Sequence, residues 1–296
     1  MTDLLQGGVP AVGPLQGIEQ RVWPRRASGL RRAADGLKPF LPLSREWLDE
    51  RLACALAEAE QTGSGFYLNS FAVRRAMAAA ARISVDPRSI DRRLRHRVEG
   101  AEGDHTIRDR FLGAGDWEGL LDPLDTSSTH QEVREVVEAG LDYRRTGAFR
   151  LALERARSGH PLCRNYVALK TPDLVEKYFR SIVELVRSVS EAGIVRRAEY
   201  RRVSHIFGNC RIRPPWIEAV ESDVGIAVGA VGEIYRFASG KHRMAIAQAL
   251  NIGSMPVEVR MVHAGWLQRQ VEASGLRPVA ALERGLQALC QAADRP

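Results

Sequence analysis

The stretch "DVGIAVGAVGEIYRFASGKHRMAIAQALNIGSMPVEVRMVH" (223–263) constrains the fold of this chain more than any other. Its first part alternates apolar residues, passes through a glycine-containing turn and alternates again, which predicts a β-hairpin. A tight turn at Ser239-Gly240 then opens a helix over about 241–250, and "MPVEVRMV" reads as a further strand. Strand, turn, helix and strand in so few residues commit this part of the chain to a small sheet with a helix packed on it.

The remainder reads mainly as helix. Ser44 caps "REWLDERLACALAEAEQ", which "TGSG" breaks, and a second helix is expected over roughly 68–81. "ISV" (83–85) reads as a short strand, and Asp86-Pro87 as a cap and first turn opening another helix. Residues 113–128 read as a loop, and "THQEVREVVEAG" and "TGAFRLALERARSG" as amphipathic helices. The strongest helix is 171–193: Thr171 caps, Pro172 takes the first turn, Gly193 stops it, and Leu174, Val175, Tyr178, Phe179, Ile182, Leu185, Val186 and Val189 form its buried stripe. Helices are expected at 264–274 and 278–292. The fold class is therefore α+β, mainly helical with a small mixed sheet in the C-terminal half. The chain divides into three regions: an irregular basic arm (1–43), a helical region (44–81) and a domain (82–296) with a helical insertion at about 113–193.

Composition bounds the partners. The formal charge of +7 favours anions such as nucleotides, nucleic acids or anionic glycans. Four separated cysteines (Cys54, Cys163, Cys210, Cys290) form no CxxC pair, so they read as thiols of a reducing compartment. No apolar run approaches membrane-span length and no signal peptide is evident, so a cytoplasmic location without a membrane span is expected.

The candidate site is Ser239, Gly240, Lys241, His242 and Arg243. A helix start exposes backbone N–H groups and the positive end of the helix dipole, and Gly240 lets the backbone approach an anion. Cations are the wrong charge for a first helical turn unless something negative sits there. The other reading is a plain helix start, with Ser239 capping and the basic residues in water.

The segment from Gly232 to His263 resembles the core of the ParB/sulfiredoxin-like superfamily, whose pattern is strand, G-x-H-R, helix, Gly-containing turn, then "IPV-V". Here it stands as Gly240, Lys241, His242 and Arg243, then Ala245 and Ala247, then Met255-Pro256-Val257. "GDWE" (115–118), "YFRSIVELVRSVSEAG" and "HAGW" (263–266) fall in the order seen in an uncharacterised ParB-like prokaryotic group, a resemblance covering roughly 80–270. It implies nucleotide phosphates, ATP or CTP with Mg²⁺, held at the turn. It further implies NTP hydrolysis or phosphoryl transfer to an unknown acceptor, with His242 and Arg243 at the phosphates and His263 and Trp266 lining the pocket. Lys241 stands where sulfiredoxins carry their catalytic Cys, which argues against sulfinic-acid reduction. The chain after the last strand is too short for the DNA-binding domain of partition proteins.

Asp116 is the candidate general base or Mg²⁺ ligand, against an Asx-turn with Trp117 plugging the core. Ser181 and Glu233 are weaker candidates. The arginines Arg88, Arg92, Arg93, Arg95 and Arg97 offer a nucleic-acid alternative, in which the turn grips a backbone phosphate.

Overall fold

The computed structural model describes residues 44–100, 103–164, 167–195 and 223–293. The arm expected at 1–43 and Cys210 lie outside them. The described residues contain eight α-helices and a mixed sheet, an α+β fold. Helix α1 (Arg45–Thr62), strand β1 (Gly65–Asn69) and helix α2 (Ser70–Met77) come first. Strands β2 (Arg82–Val85), β3 (Arg92–Leu94), β4 (Arg97–Gly100), β5 (Gly103–Thr106), β6 (Arg110–Ala114) and β7 (Leu121–Pro123) succeed them. Next come α3 (Ser128–Glu138), α4 (Gly147–Arg157), the short pair β8 (Cys163–Arg164) and β9 (Val167–Ala168), and α5 (Pro172–Ala192). The chain closes with β10 (Val224–Val228), β11 (Ile234–Arg236), α6 (Lys241–Ala249), β12 (Met255–His263), α7 (Ala264–Ser274) and α8 (Pro278–Ala293).

Helix boundaries obey local chemistry. Ser44 Oγ accepts from Trp47 N at 3.1 Å to start α1, and Gly63, at φ +67°, ends it. Thr171 Oγ1 accepts from Leu174 N at 3.3 Å, Pro172 opens α5 and Gly193 comes after its last residue. Its stripe of Val175, Tyr178, Phe179, Ile182, Val186 and Val189 is buried as expected.

Three expectations need correction. The helix expected over 68–81 begins only at Ser70, because Gly65–Asn69 pair antiparallel with β6, and Ala78–Ala81 tighten into a 3₁₀ turn. Asp86-Pro87 opens a single 3₁₀ turn, Pro87–Ser89, not a helix. After it Arg92–Leu94 pair with β11 and β7, and that ladder satisfies the backbone instead. The 113–128 loop contains β7. Residues 44–81 also share the sheet of the later chain through β1. Helix α1 is tied to α8 by a forked Arg45–Glu283 pair at 2.8 and 2.7 Å and by Val279 N donating to Asp49 at 2.8 Å.

The sheet order is β1-β6-β12-β10-β11-β3-β7. Strand β12 is its spine. One edge pairs in parallel with β10; the other takes β2 antiparallel along Met255–Glu258 and β6 in parallel at Val262 and His263. Alternation sends Val224, Ile226 and Val228, with Val257 and Val259, into the main core with α6. Alternation sends Ala227 to the other face, and a register shift at Ile226/Ala227 turns Met261 there too, where they join Leu94, Ile107, Trp117, Tyr235 and Phe237 in a second cluster.

On that second face Glu258 is buried between two arginines. Arg74 Nη1 lies 2.6 Å and Arg260 Nη2 3.2 Å from the same carboxylate oxygen. Arg74 Nε also donates to Ser70 O, and Ser70 Oγ to Arg260 O, which joins α2 to the spine. Removing the carboxylate charge leaves two buried guanidinium groups facing each other. Glu258→Gln is therefore expected to destabilise the fold by about 3–5 kcal/mol in urea unfolding; a change under about 1 kcal/mol would contradict this account.

Candidate anion site

Arg236 ends β11, and the turn after it is bonded to the start of β10. Phe237 N donates to Gly225 O at 2.8 Å, Gly225 N to Ser239 O at 3.3 Å, and Ser239 Oγ to Asp223 O at 2.6 Å. Ser239 thus fastens the turn and does not cap the helix. Gly240 is the N-cap residue of α6, at φ +81°, and no side chain bonds to the cap. A Cβ there would lie 2.7 Å from Val224 Cα, so only glycine fits against the strand. Arg243 faces Asp223 at 3.9 Å, and Arg82 approaches the same carboxylate at 4.0 Å.

The insertion brings further groups to this helix start. Glu132, on α3, accepts from Arg164 Nε at 2.7 Å and also from Nη2, while Tyr178 OH of α5 donates to its other oxygen at 2.7 Å. The Tyr178 oxygen is 3.2 Å from His242 Nε2. With the Tyr178 hydroxyl hydrogen directed to Glu132, His242 Nε2 carries its own hydrogen and donates to Tyr178. His242 is buried, and burial, then Lys241, His130 and Arg164, hold its pKa down to about 3. Burial, then Glu132, pushes the Tyr178 phenol well above its ordinary range.

Three groups around the turn lack counterparts. His130, in the first turn of α3, is 5% exposed and neither ring nitrogen is bonded. Burial, then Arg236, Arg134, Arg93 and Lys241, lowers its pKa to about 4. Arg236 is 8% exposed; Nη1 donates to Ala238 O at 3.3 Å, but Nε has no partner and no carboxylate pairs with the group among the described residues. Burial, then Arg93, lowers its pKa to about 10. Lys241 has no hydrogen bond or ion pair among the described residues, and its pKa is lowered by burial first and then by Arg164, with Arg236 and Arg93 adding. Of the nearby carboxylates, Glu132 is committed to Arg164 and Tyr178, and Asp223 faces Arg243 and Arg82.

Other candidate residues lie elsewhere. Asp116 is exposed and its Oδ1 accepts from Glu118 N at 2.8 Å, an Asx-turn; Trp117 beside it plugs the second cluster, on the face of the sheet away from α6. His263 uses both ring nitrogens structurally: Nδ1 accepts from Gly265 N at 3.0 Å to cap α7, and Nε2 donates to Gly115 O at 2.9 Å. Trp266 is core, packed under Gly285. Ser181 Oγ donates to Tyr178 O, and Glu233 accepts from Val231 N in the hairpin turn. Arg88 forks onto Asp86, Arg92 pairs with Glu118 and lies over Tyr235, and Arg93 and Arg95 share Asp122. Arg97, on β4, is exposed. Four of these five arginines are answered by local carboxylates. Nor does the turn fit a protein-bound Mg²⁺, since both Glu132 oxygens are taken, Asp223 sits between Arg243 and Arg82, and Asp116 is not present there.

His130, Glu132, Arg164, Tyr178 and Arg236 are the site residues that the sequence reading missed. His130 precedes Val133 by three residues and so falls on the buried stripe of its helix, and Arg236 interrupts an apolar strand between Tyr235 and Phe237. Polar residues at such positions are the signal that was there to read.

No family model, curated protein or solved structure matches this chain.

The two buried imidazoles give the fold an acid limb. Their folded pKa values, about 4 for His130 and about 3 for His242, lie below the ordinary 6.5, so below 6.5 the unfolded chain binds more protons. Stability is expected to fall as pH drops from 6.5 through each folded value and to level off below it. His130 alone contributes up to about 3 kcal/mol of this loss. Urea midpoints measured across that range should fall more gently in His130→Gln; an identical slope would refute the assignment.

Proposed function

We propose that this chain binds a nucleotide of the ATP or CTP kind, with its phosphates on the Gly240–Arg243 turn, in the manner of the ParB/sulfiredoxin-like proteins that the segment Gly232–His263 resembles. The observation that carries the reading is the pair of positive groups, Arg236 and Lys241, set around a helix N-terminus with no carboxylate among the described residues to answer them. Buried charge without a partner is expensive, and sites that keep it are commonly sites where a ligand supplies the opposite charge. The start of α6, which no side chain caps, points the same way. The resemblance supplies the nucleotide; the charge arrangement supports the phosphates.

Hydrolysis or transfer of the terminal phosphoryl group would draw on Lys241 and Arg236 to stabilise developing charge. The geometry supports binding more directly than turnover, because among the described residues the carboxylates at the turn, Glu132 and Asp223, already face arginines. Asp116 is not proposed for that role.

Lys241→Met tests the reading, because it removes an unanswered charge while keeping most of the aliphatic stem. The variant is expected to melt at a higher temperature than the wild type without ligand, since a half-buried cation without a partner destabilises. It should bind ATP, CTP or pyrophosphate at least about tenfold more weakly. Thermal shift and calorimetry with these ligands, with and without Mg²⁺, read both effects. A wild-type protein that none of them stabilises would refute the proposal.

A further inference from the structure

Helix α3 belongs to the insertion, outside the strand–turn–helix segment, yet it places an imidazole at the anion site. His130 is enclosed, and neither Nδ1 nor Nε2 has a partner. The groups whose charge reaches it are Arg236 on β11, Arg93 on β3, Lys241 on α6 and Arg134 on its own helix, and its own charge is felt in turn by His242 on α6. All are basic. Glu132, two residues on, is bound to Arg164 of β8 and Tyr178 of α5 and offers nothing to His130. A buried neutral imidazole wants one donor and one acceptor, and here it has neither. An imidazolium wants two acceptors, and the oxygens of a single anion can provide them.

We propose that His130 is a ligand-binding residue that takes up a proton as the anion enters, donates to it, and makes the site selective for a dianionic terminal phosphoryl group over a singly charged phosphodiester. This rests on the phosphate-binding reading of the turn and adds its specificity. The charge count gives the selectivity. Arg93 is answered by Asp122 and Arg164 by Glu132, and Arg134 is exposed to solvent, which leaves Arg236, Lys241 and a protonated His130 for the ligand. A terminal phosphate carries close to two negative charges near neutral pH, and a diester carries one. Without ligand, the cations around it keep the imidazole neutral; a dianion among them reverses the sign of the local field and favours the charged ring.

Sulfate is the probe for the proton, because it is a dianion that brings none of its own near neutral pH. Calorimetry at pH 7 in two buffers of different ionisation enthalpy should show proton uptake by the wild-type protein on binding sulfate. Long-range ¹H–¹⁵N spectra of the wild type should show one imidazole passing from the neutral to the doubly protonated pattern, which separates His130 from any contribution of Lys241. In His130→Gln that signal should be missing, the uptake lost, and sulfate bound at least about tenfold more weakly. Methyl phosphate should outcompete dimethyl phosphate by at least about tenfold in the wild type. Sulfate binding without proton uptake, uptake that persists in His130→Gln, or equal binding of the two phosphate esters would overturn this inference and leave the anion site standing. Failure of sulfate, methyl phosphate and pyrophosphate alike to bind the wild type would overturn both.

Discussion

The fold depends on satisfying the backbone of β12. Its nine residues run through the middle of the sheet, and both edges must be hydrogen-bonded. One edge is taken by β10 alone. The other is divided end to end between an antiparallel neighbour, β2, and a parallel one, β6. This division brings together strands from both ends of the described chain, so residues 44–81 share one sheet with the later strands. It also fixes where β10 begins, and the turn of the candidate site is hydrogen-bonded to that beginning. Gly225 and Gly240 let the turn lie flat there: a Cβ at Gly225 would strike the Phe237 carbonyl, and one at Gly240 would strike Val224.

Two clusters of buried charge sit on opposite faces of this sheet, and they differ in kind. Around Glu258 both arginines converge on a carboxylate, Arg74 also donates to the Ser70 carbonyl, and the cluster fastens α2 to the spine. Around the start of α6 the carboxylate is already spoken for, while a guanidinium, an ammonium and an imidazole crowd together unanswered. The first arrangement contributes to stability in the ordinary way. The second opposes folding, and burial with mutual repulsion lowers the pKa of each group in it. Local violations of otherwise consistent packing are where ligand sites are expected.

Much of this was legible in the sequence, for identifiable reasons. Helix α5 announces itself because Thr171, Pro172 and Gly193 mark both ends and its apolar stripe keeps a strict period. The β10–β11 hairpin, α6 and β12 were legible through alternation and the Gly240 turn. Strands β1, β3 and β7 were not. Each is short and at or near an edge of the sheet, and each gains its hydrogen bonds from partners far along the chain that no local pattern reveals. The Asp86-Pro87 start is genuine, but a cap and a proline specify only the first turn; tertiary pairing decides the conformation of the next residues. His263 and Trp266 looked like pocket residues because their types are often functional. The structure uses one as a cap and the other as core.

The insertion changes what the turn can be. Taken alone, the segment 233–259 presents Arg236, Lys241 and His242 at a helix start, and solvent could hydrate all three. Helices α3 and α5 narrow that option: Tyr178 covers His242, and Arg236 is buried, while Lys241 is half-buried. Where water is excluded, each cation raises the cost of its neighbours, and an anion would offset that cost. The same Tyr178 that completes the buried stripe of α5 sets the hydrogen-bonding direction of His242, so core packing and site chemistry meet in one side chain. The ambiguity between a phosphate cradle and a plain helix start is therefore a property of the isolated segment. It narrows when residues far earlier in the chain are folded against it.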